Sequence, residues 1–455
     1  MEAVSMREIL QWTDAQLVGI LNLAQSVTGI STDSREIESG ELFLALKGLN
    51  FDGHKFVEAA LEKGACAAVV EREWAADREI EGPLLIVPSA LEALGAIARQ
   101  YRRRFQLPVV GVVGSAGKTT TKEMIAAVLG RRYRVLKNQG NENNEIGVPK
   151  TLLQLEQTDE AVVLELAARK RGDISYLCSV AQPTIGVLLN IGTAHLEFFE
   201  SVEGVAKAKG ELLDYLDESL TALVNVDDCV AAKEAKRTKG RLLGFGLGHG
   251  SQYRGEGLVL DQEGRGHFSL QNFSFQLQIP GRHNAYNALA AAAVGDLLDV
   301  PWEDIQSALN DFQPVAMRSQ ILRKNGICII NDSYNANPDS VRMALDLLSS
   351  MEGERRIAVL GDMLELGPRS AELHADVGCQ VAAAEIDLLL ATGPLSAHTV
   401  KAAQEAGLPS VCARHFADRE ALAECLVTVR QRGDLVLVKA SRSMGLETIV
   451  ERITR

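Results

Sequence analysis

The sequence predicts an α/β protein of three domains. These are a small amino-terminal mixed α/β domain (residues 1–100), a central domain with a parallel sheet behind a phosphate-binding loop (101–314), and a carboxyl-terminal Rossmann-like domain (315–455). Three observations carry this. The chain has 455 residues, more than one hydrophobic core ordinarily serves. From Val109 onward, short continuous apolar runs alternate with helical stretches, the mark of strands covered on both faces. A fresh series of such runs begins after Gln313-Pro314, as expected of a second doubly wound unit.

The first hundred residues hold short mixed elements, among them "ELFLALKG", "CAAVVE" and "PLLIVPS". The basic run "RQYRRRFQLP" closes this part and reads as the solvated face of a helix. "PVVGVVG", "AVVLELA", "TIGVLLNIG" and "LTALVNVDD" are the central strands. "HFSLQNFSFQLQIP" alternates in polarity and predicts an antiparallel ribbon, whereas "NAYNALAAAAVGDLL" predicts an alanine-rich helix. "GICIIND", "RRIAVLGD", "EIDLLLATG" and "GDLVLVKAS" are the strands of the third domain.

"VVGVVGSAGKTTTKEM" is a strand, a glycine-bearing turn and a helix. In the loop Gly114, Ser115, Ala116, Gly117, Lys118, Thr119 and Thr120, two glycines permit backbone shapes that bulky residues resist. The loop amides and the helix's positive end then favour phosphate. Lys118 is expected to reach the outer phosphates and Thr119 to offer a hydroxyl to Mg2+. Magnesium wants further oxygen ligands, and "AVVLELA" ends in Glu165, a carboxylate in an apolar setting. His195 follows another strand end, where open α/β sheets bind ligands. Taken alone, it reads more readily as a satisfied structural histidine than as a ligand.

Composition narrows the classes. The residues are 46% hydrophobic and 24% charged, and the net charge of -13 argues against a general nucleic-acid binder. No apolar run is long enough to span a bilayer, and no signal peptide is visible. The seven cysteines are scattered without a C-x-x-C pair, so a disulfide framework or zinc site is not expected. They read as reduced, mostly small core residues of a cytoplasmic protein.

Taken in order, "GSAGKTTTKE", "GNENNEIGVP", "AHLEFFESVEGVAKAKGE", "GRHNAYNALAA", "NDSYNANPDS" and "LGDMLELG" resemble the Mur ligase family along essentially the whole chain. The resemblance implies an ATP-dependent amide-bond-forming enzyme of peptidoglycan synthesis, with a central ATPase domain and a uridine-nucleotide-binding first domain. ATP would activate a peptide carboxylate of UDP-N-acetylmuramoyl-tripeptide as an acyl phosphate, and the amine of D-alanyl-D-alanine would attack it. A monomer is expected.

The resemblance places Glu165 and His195 in the magnesium shell. Lys209 matches a lysine that related ligases carry as a carbamate, although by its own pattern it reads as a helix-face lysine. Asn287 and Arg318 match nucleotide positions, and Asp332, Tyr334 and Asn335 match the ATP-facing segment of the third domain. Asn284 reads as structural. Ser34 and Arg35 in "STDSRE" read either as a capped turn or as contacts to the uridine pyrophosphate.

Ala167, Met317 and Ala440 stand where the family pattern has glycine. A sister ligase adding another amino acid and a folate-type polyglutamate ligase are the alternatives; "SYNANP" and "LGDMLELG" favour D-alanyl-D-alanine addition. A nucleotide switch protein is disfavoured by the absence of an N-K-x-D motif, and an inactive binding module by the intact loop.

Overall fold

The computed structural model describes residues 1–48, 51–76, 78 and 81–454. It divides into two compact units: Met1–Gly111 with Tyr133–Ala167 and Gly172–Thr184, and Val112–Arg132 with Ala168–Arg171 and Ile185–Arg455.

In the first unit, five strands form one sheet in the order β1 (Gln16–Val18), β5 (Leu84–Val87), β4 (Ala67–Glu71), β3 (Leu42–Leu44), β2 (Ile30–Ser31). The β1–β5 pair is antiparallel and the rest are parallel. The three expected strands are β3, β4 and β5. Their centre buries Phe43, Val70 and Leu84 with Val57 and Ala60. Helix α1 (Ala90–Arg102) begins at Ser89, whose side chain accepts from the Glu92 amide.

In the basic run at the end of α1, Arg103 and Arg104 are exposed as expected, but Arg102 departs from expectation. Arg102 is buried, donating from Nε to Ala181 O, from Nη1 to Phe105 O and from Nη2 to Leu107 O. Three carbonyl partners compensate the loss of water around the guanidinium. Tyr101 beside it is also buried and donates to Leu155 O at 2.6 Å. Charge count alone cannot separate an anchoring arginine from a solvated one. The unit also holds a parallel strand pair, Val135–Lys137 and Ala161–Glu165.

The second unit opens with helix α2 (Lys118–Leu129). Strands β6 (Ile185–Leu188), β7 (Thr221–Asn225), β8 (Arg241–Gly246) and β9 (Tyr253–Arg254) follow, each parallel to the next. Helix α3 (Val202–Lys209) lies between β6 and β7 in the chain, capped by Ser201. The expected ribbon is present as β11 (Arg265–Leu270) and β12 (Phe273–Pro280), with β10 (Glu256–Leu260) added to it. The alanine-rich segment is helix α4 (Arg282–Leu297), packed on α2. Its small residues permit close approach: a Cβ at Gly295 would lie 2.5 Å from Val128 Cγ1.

The remaining sheet has six strands in the order β13 (Gln320–Lys324), β14 (Ile327–Asn331), β18 (Asp434–Lys439), β15 (Arg355–Gly361), β16 (Leu388–Thr392), β17 (Ala413–Phe416). The β13–β14 pair is antiparallel and the others are parallel. The buried runs of β15, β16 and β18 pack against Leu422, Leu426 and Ile449. Between β14 and β15 runs helix α5 (Pro338–Ser350), opened by proline at its first position and a reciprocal Asn337–Ser340 cap.

The seven cysteines are all free, but only Cys66 and Cys178 are buried; Cys229 and Cys379 are exposed. The expectation that most fill the core is therefore corrected. Among the described residues no helix is long and apolar enough to cross a membrane.

Candidate active site

The phosphate loop joins strand Val109–Val113 to α2. Gly117 caps the helix in the left-handed region, φ +80°, and a Cβ there would lie 2.7 Å from Asn287 Oδ1. Both facts require glycine. Thr119 is buried in the first turn, and Lys118 Nζ donates to Gly114 O at 3.0 Å.

Sequence reasoning missed Asn190, which shapes this loop. Its Oδ1 accepts from the amides of Ser115 (3.0 Å) and Ala116 (2.8 Å), and its Nδ2 donates to Ala116 O at 3.0 Å. Ser115 Oγ accepts from the Gly192 amide at 2.8 Å. The amides of Ser115 and Ala116 therefore serve loop structure. The only sequence signal was a polar residue closing the apolar run "TIGVLLN".

A buried amide chain braces the loop from α4. Thr121 Oγ1 donates to Asn287 Oδ1 (3.1 Å), Asn287 Nδ2 to Asn284 Oδ1 (2.9 Å), and Asn284 Nδ2 to Pro280 O (2.6 Å). Asn287 thus lies beside Gly117, and Asn284 links it to the Pro280 carbonyl.

His195 sits just beyond the loop's partners Asn190 and Gly192. Its backbone is left-handed, φ +59°, and its Nδ1 lies 2.6 Å from Glu365 Oε2. The hydrogen bond from His195 holds the Glu365 carboxyl below the ordinary range despite partial burial. Lys209, the last residue of α3, is 2% exposed, which removes the reading as a solvated helix-face lysine.

Glu165 ends its strand in the first unit, buried, and Oε1 accepts from Asn143 Nδ2 at 2.8 Å. Among the described residues no three His, Cys, Asp or Glu side chains are grouped to hold a metal.

The residues expected from the third domain form their own cluster. Arg318 stacks on the Tyr334 ring at 4.1 Å, and Arg442 approaches the same ring at 5.8 Å. Asp332 Oδ1 accepts from the Ser319 amide (2.9 Å), and Oδ2 pairs with Lys439 Nζ at 2.5 Å. Lys439 also donates to Asn335 O at 2.9 Å. Lys439 and Arg442 lie in "VKASRS", a segment to which sequence reasoning gave no role. Met317 is left-handed at φ +59°, the physical reason glycine suits that position.

In the first unit Arg35 is exposed and forks onto Asp33, with Nε–Oδ1 2.9 Å and Nη2–Oδ2 2.6 Å. These bonds hold the Asp33 pKa down at about 2. Ser34 is half-buried in the same turn.

The chain belongs to the Mur ligase family. The Mur ligase middle domain matches residues 112–295, the Mur ligase glutamate ligase domain residues 317–442, and the Mur ligase family catalytic domain residues 26–102. The architecture is the family's three-domain one, and the protein is an ATP-dependent amide ligase.

The particular kinship is narrower. UDP-N-acetylmuramoyl-tripeptide--D-alanyl-D-alanine ligase of Synechocystis sp. is 38% identical, covering 99% of this chain and 97% of its own. MurF from Acinetobacter baumannii superposes with a TM-score of 0.91 at 31% identity, covering 100% of this chain and 99% of its own. MurF of Thermotoga maritima, solved in complex with ADP, has a TM-score of 0.83 at 32% identity, covering 93% and 96%.

Proposed function

We propose that this enzyme joins D-alanyl-D-alanine to UDP-N-acetylmuramoyl-tripeptide in the cytoplasm, by way of an acyl phosphate made with ATP. The observation that carries this reading is the end-to-end match to a ligase of that name at 38% identity, with the phosphate loop intact.

In this reading residues 1–100 hold the uridine nucleotide, with Arg35 free to exchange its Asp33 partner for a pyrophosphate. Residues 101–314 hold the phosphates of ATP: the first amides of α2 cradle them and Lys118 leaves Gly114 O to neutralise charge on the transferring group. Residues 315–455 supply Arg318, Asp332, Tyr334 and Asn335 to the nucleotide. Asp332, already balanced by Lys439, is then an acceptor in a fixed direction.

Thr119 in the second unit and Glu165 in the first each carry a hard oxygen of the kind Mg2+ prefers. His195 would add Nε2, since Nδ1 is taken by Glu365. Lys209, which is buried, fits a cation site only as an anionic carbamate. Bound magnesium would supply charge neutralisation at the phosphates.

The test is product identification. Purified enzyme with ATP, UDP-N-acetylmuramoyl-tripeptide and D-alanyl-D-alanine should yield the pentapeptide product, and ADP release should require both other substrates. Product only when a single amino acid replaces the dipeptide would identify a sister ligase instead.

A further inference from the structure

We propose that Glu365 is a positioning residue for His195, and that the strand-end segment Gly192–Glu197 is set for catalysis by two carboxylates reaching it from residues 317–442. The inference rests on the ligase reading above for its consequence, but not for its geometry.

The first carboxylate is Glu365. Its Oε2 accepts from His195 Nδ1–H at 2.6 Å, and its backbone carbonyl accepts from the Glu197 amide at 3.1 Å. Both His195 (φ +59°) and Glu365 (φ +62°) hold the left-handed conformation without being glycine. Such residues persist where surrounding contacts over-determine them, and they gather at functional sites. Two residues on, Gly367 (φ +62°) packs where a Cβ would lie 3.0 Å from Glu197 Cα.

The second carboxylate is Asp339, in the first turn of α5. Its Oδ2 accepts from the Thr193 amide (2.7 Å) and the Thr193 hydroxyl (2.8 Å). Gly192 leaves room for it: any side chain there would strike Asp339 Oδ2. The two contacts are independent and fall two residues apart in one short segment.

The chemistry of the pairing is specific. A carboxylate accepting from Nδ1–H fixes the imidazole tautomer, so Nε2 carries the lone pair, and it fixes the ring plane. Without Glu365 the neutral ring would divide between two tautomers and rotate about its side-chain bonds. His195 would then present a usable nitrogen only part of the time. Because Glu365 and Asp339 belong to the segment that carries the Asp332 cluster, the orientation of His195 is tied to the placement of that cluster.

The test compares Glu365→Ala, Glu365→Gln and Asp339→Ala in the full chain. In the wild type labelled with 15N-histidine, one ring should show a protected Nδ1–H signal that vanishes in His195→Gln. Glu365→Ala should lose that signal, lower kcat on the order of 10–100-fold, and leave the KM for ATP and the melting temperature near wild type. Mg2+ titrated calorimetrically onto the ADP-loaded Glu365→Ala protein should bind on the order of tenfold more weakly.

Glu365→Gln keeps an oxygen acceptor and should recover most of the signal and rate. Asp339→Ala should broaden the same signal. A Glu365→Ala enzyme that keeps the Nδ1–H signal, or keeps kcat, overturns the proposal. So does one that loses activity only together with stability and ATP affinity. Failure of the wild type to ligate D-alanyl-D-alanine would overturn the function reading while leaving the spectroscopic arm intact.

Discussion

Replacing Asn190 with alanine removes three hydrogen bonds from the phosphate loop and touches no other part of it. The lost bonds are those from the Ser115 and Ala116 amides to Oδ1, at 3.0 and 2.8 Å, and from Nδ2 to Ala116 O at 3.0 Å. The Ser115 amide keeps a partner, because the backbone carbonyl of Asn190 also accepts from it at 3.1 Å. At roughly 0.5–1.5 kcal/mol net for each bond, the three together contribute roughly 1.5–4.5 kcal/mol to loop order.

Ala116 is only half-buried, so water can replace part of what it loses, and a value toward the lower part of that range applies. About 2 kcal/mol of disordering that ATP must reverse raises its apparent KM by roughly 30-fold. The assay is a KM for ATP at saturating peptide and dipeptide, beside calorimetric ADP binding and a thermal melt. A folded Asn190→Ala protein with KM and ADP affinity within about twofold of wild type would refute the reasoning. So would a fall in melting temperature with nucleotide binding unchanged, since the bonds would then hold the sheet and not the loop.

Other perturbations bear on different parts of the site. Lys118→Ala should fold normally and lose at least on the order of a hundredfold in kcat, checked by ADP release under saturating substrates. Lys209→Ala should be nearly inactive and regain part of its rate when a small carboxylic acid is added, while depletion of bicarbonate should slow the wild type; indifference to both would argue for a plain buried lysine. Gly117→Ala forces a Cβ to within 2.7 Å of Asn287 Oδ1 at φ +80°, and should abolish detectable ADP binding in a calorimetric titration.

His374 predicts a pH effect. It is buried, with Nε2 accepting from the Met363 amide and Nδ1 donating to Ser370 O, and burial lowers its pKa. The unfolded chain therefore takes up this proton first as pH falls. The stabilisation is complete above about pH 6.5 and drains below it, by up to about 1.4 kcal/mol per pH unit. Urea unfolding of the wild type against His374→Gln, from about pH 7.5 to about pH 5.5, should show the gap between the two narrowing.

Much of the architecture was legible because parallel strands buried on both faces write themselves as unbroken apolar runs. "RRIAVLG" and "DLVLVK" are β15 and β18. The phosphate loop was legible because its function demands glycine at a left-handed turn. What stayed hidden depends on partners distant in the chain. Asn190 acts on residues 74 and 75 positions away and Glu365 on one 170 away, and neither residue type announces such a role. The buried Arg102 was misread for the same reason, its distant acceptor being Ala181 O. The left-handed Met317 shows the converse: the glycine expected there marked a backbone shape that this chain keeps with a bulkier residue.

The alanine run of α4 has a further consequence for how this enzyme tolerates mutation. Ala288, Ala290, Ala291 and Ala293 are wholly buried, and the helix that carries them also carries Asn287 against Thr121. An Ala→Val exchange in such packing typically costs roughly 1–3 kcal/mol by forcing backbone shifts. Here the shift would move Asn287 as well, so the error is paid at the phosphate loop and not only in the core. A deep mutational scan should score these alanines as severely as the residues of the phosphate loop. Natural variation in this helix should then be read as a spacing tolerance between α4 and α2, with methyl groups as its unit of measure.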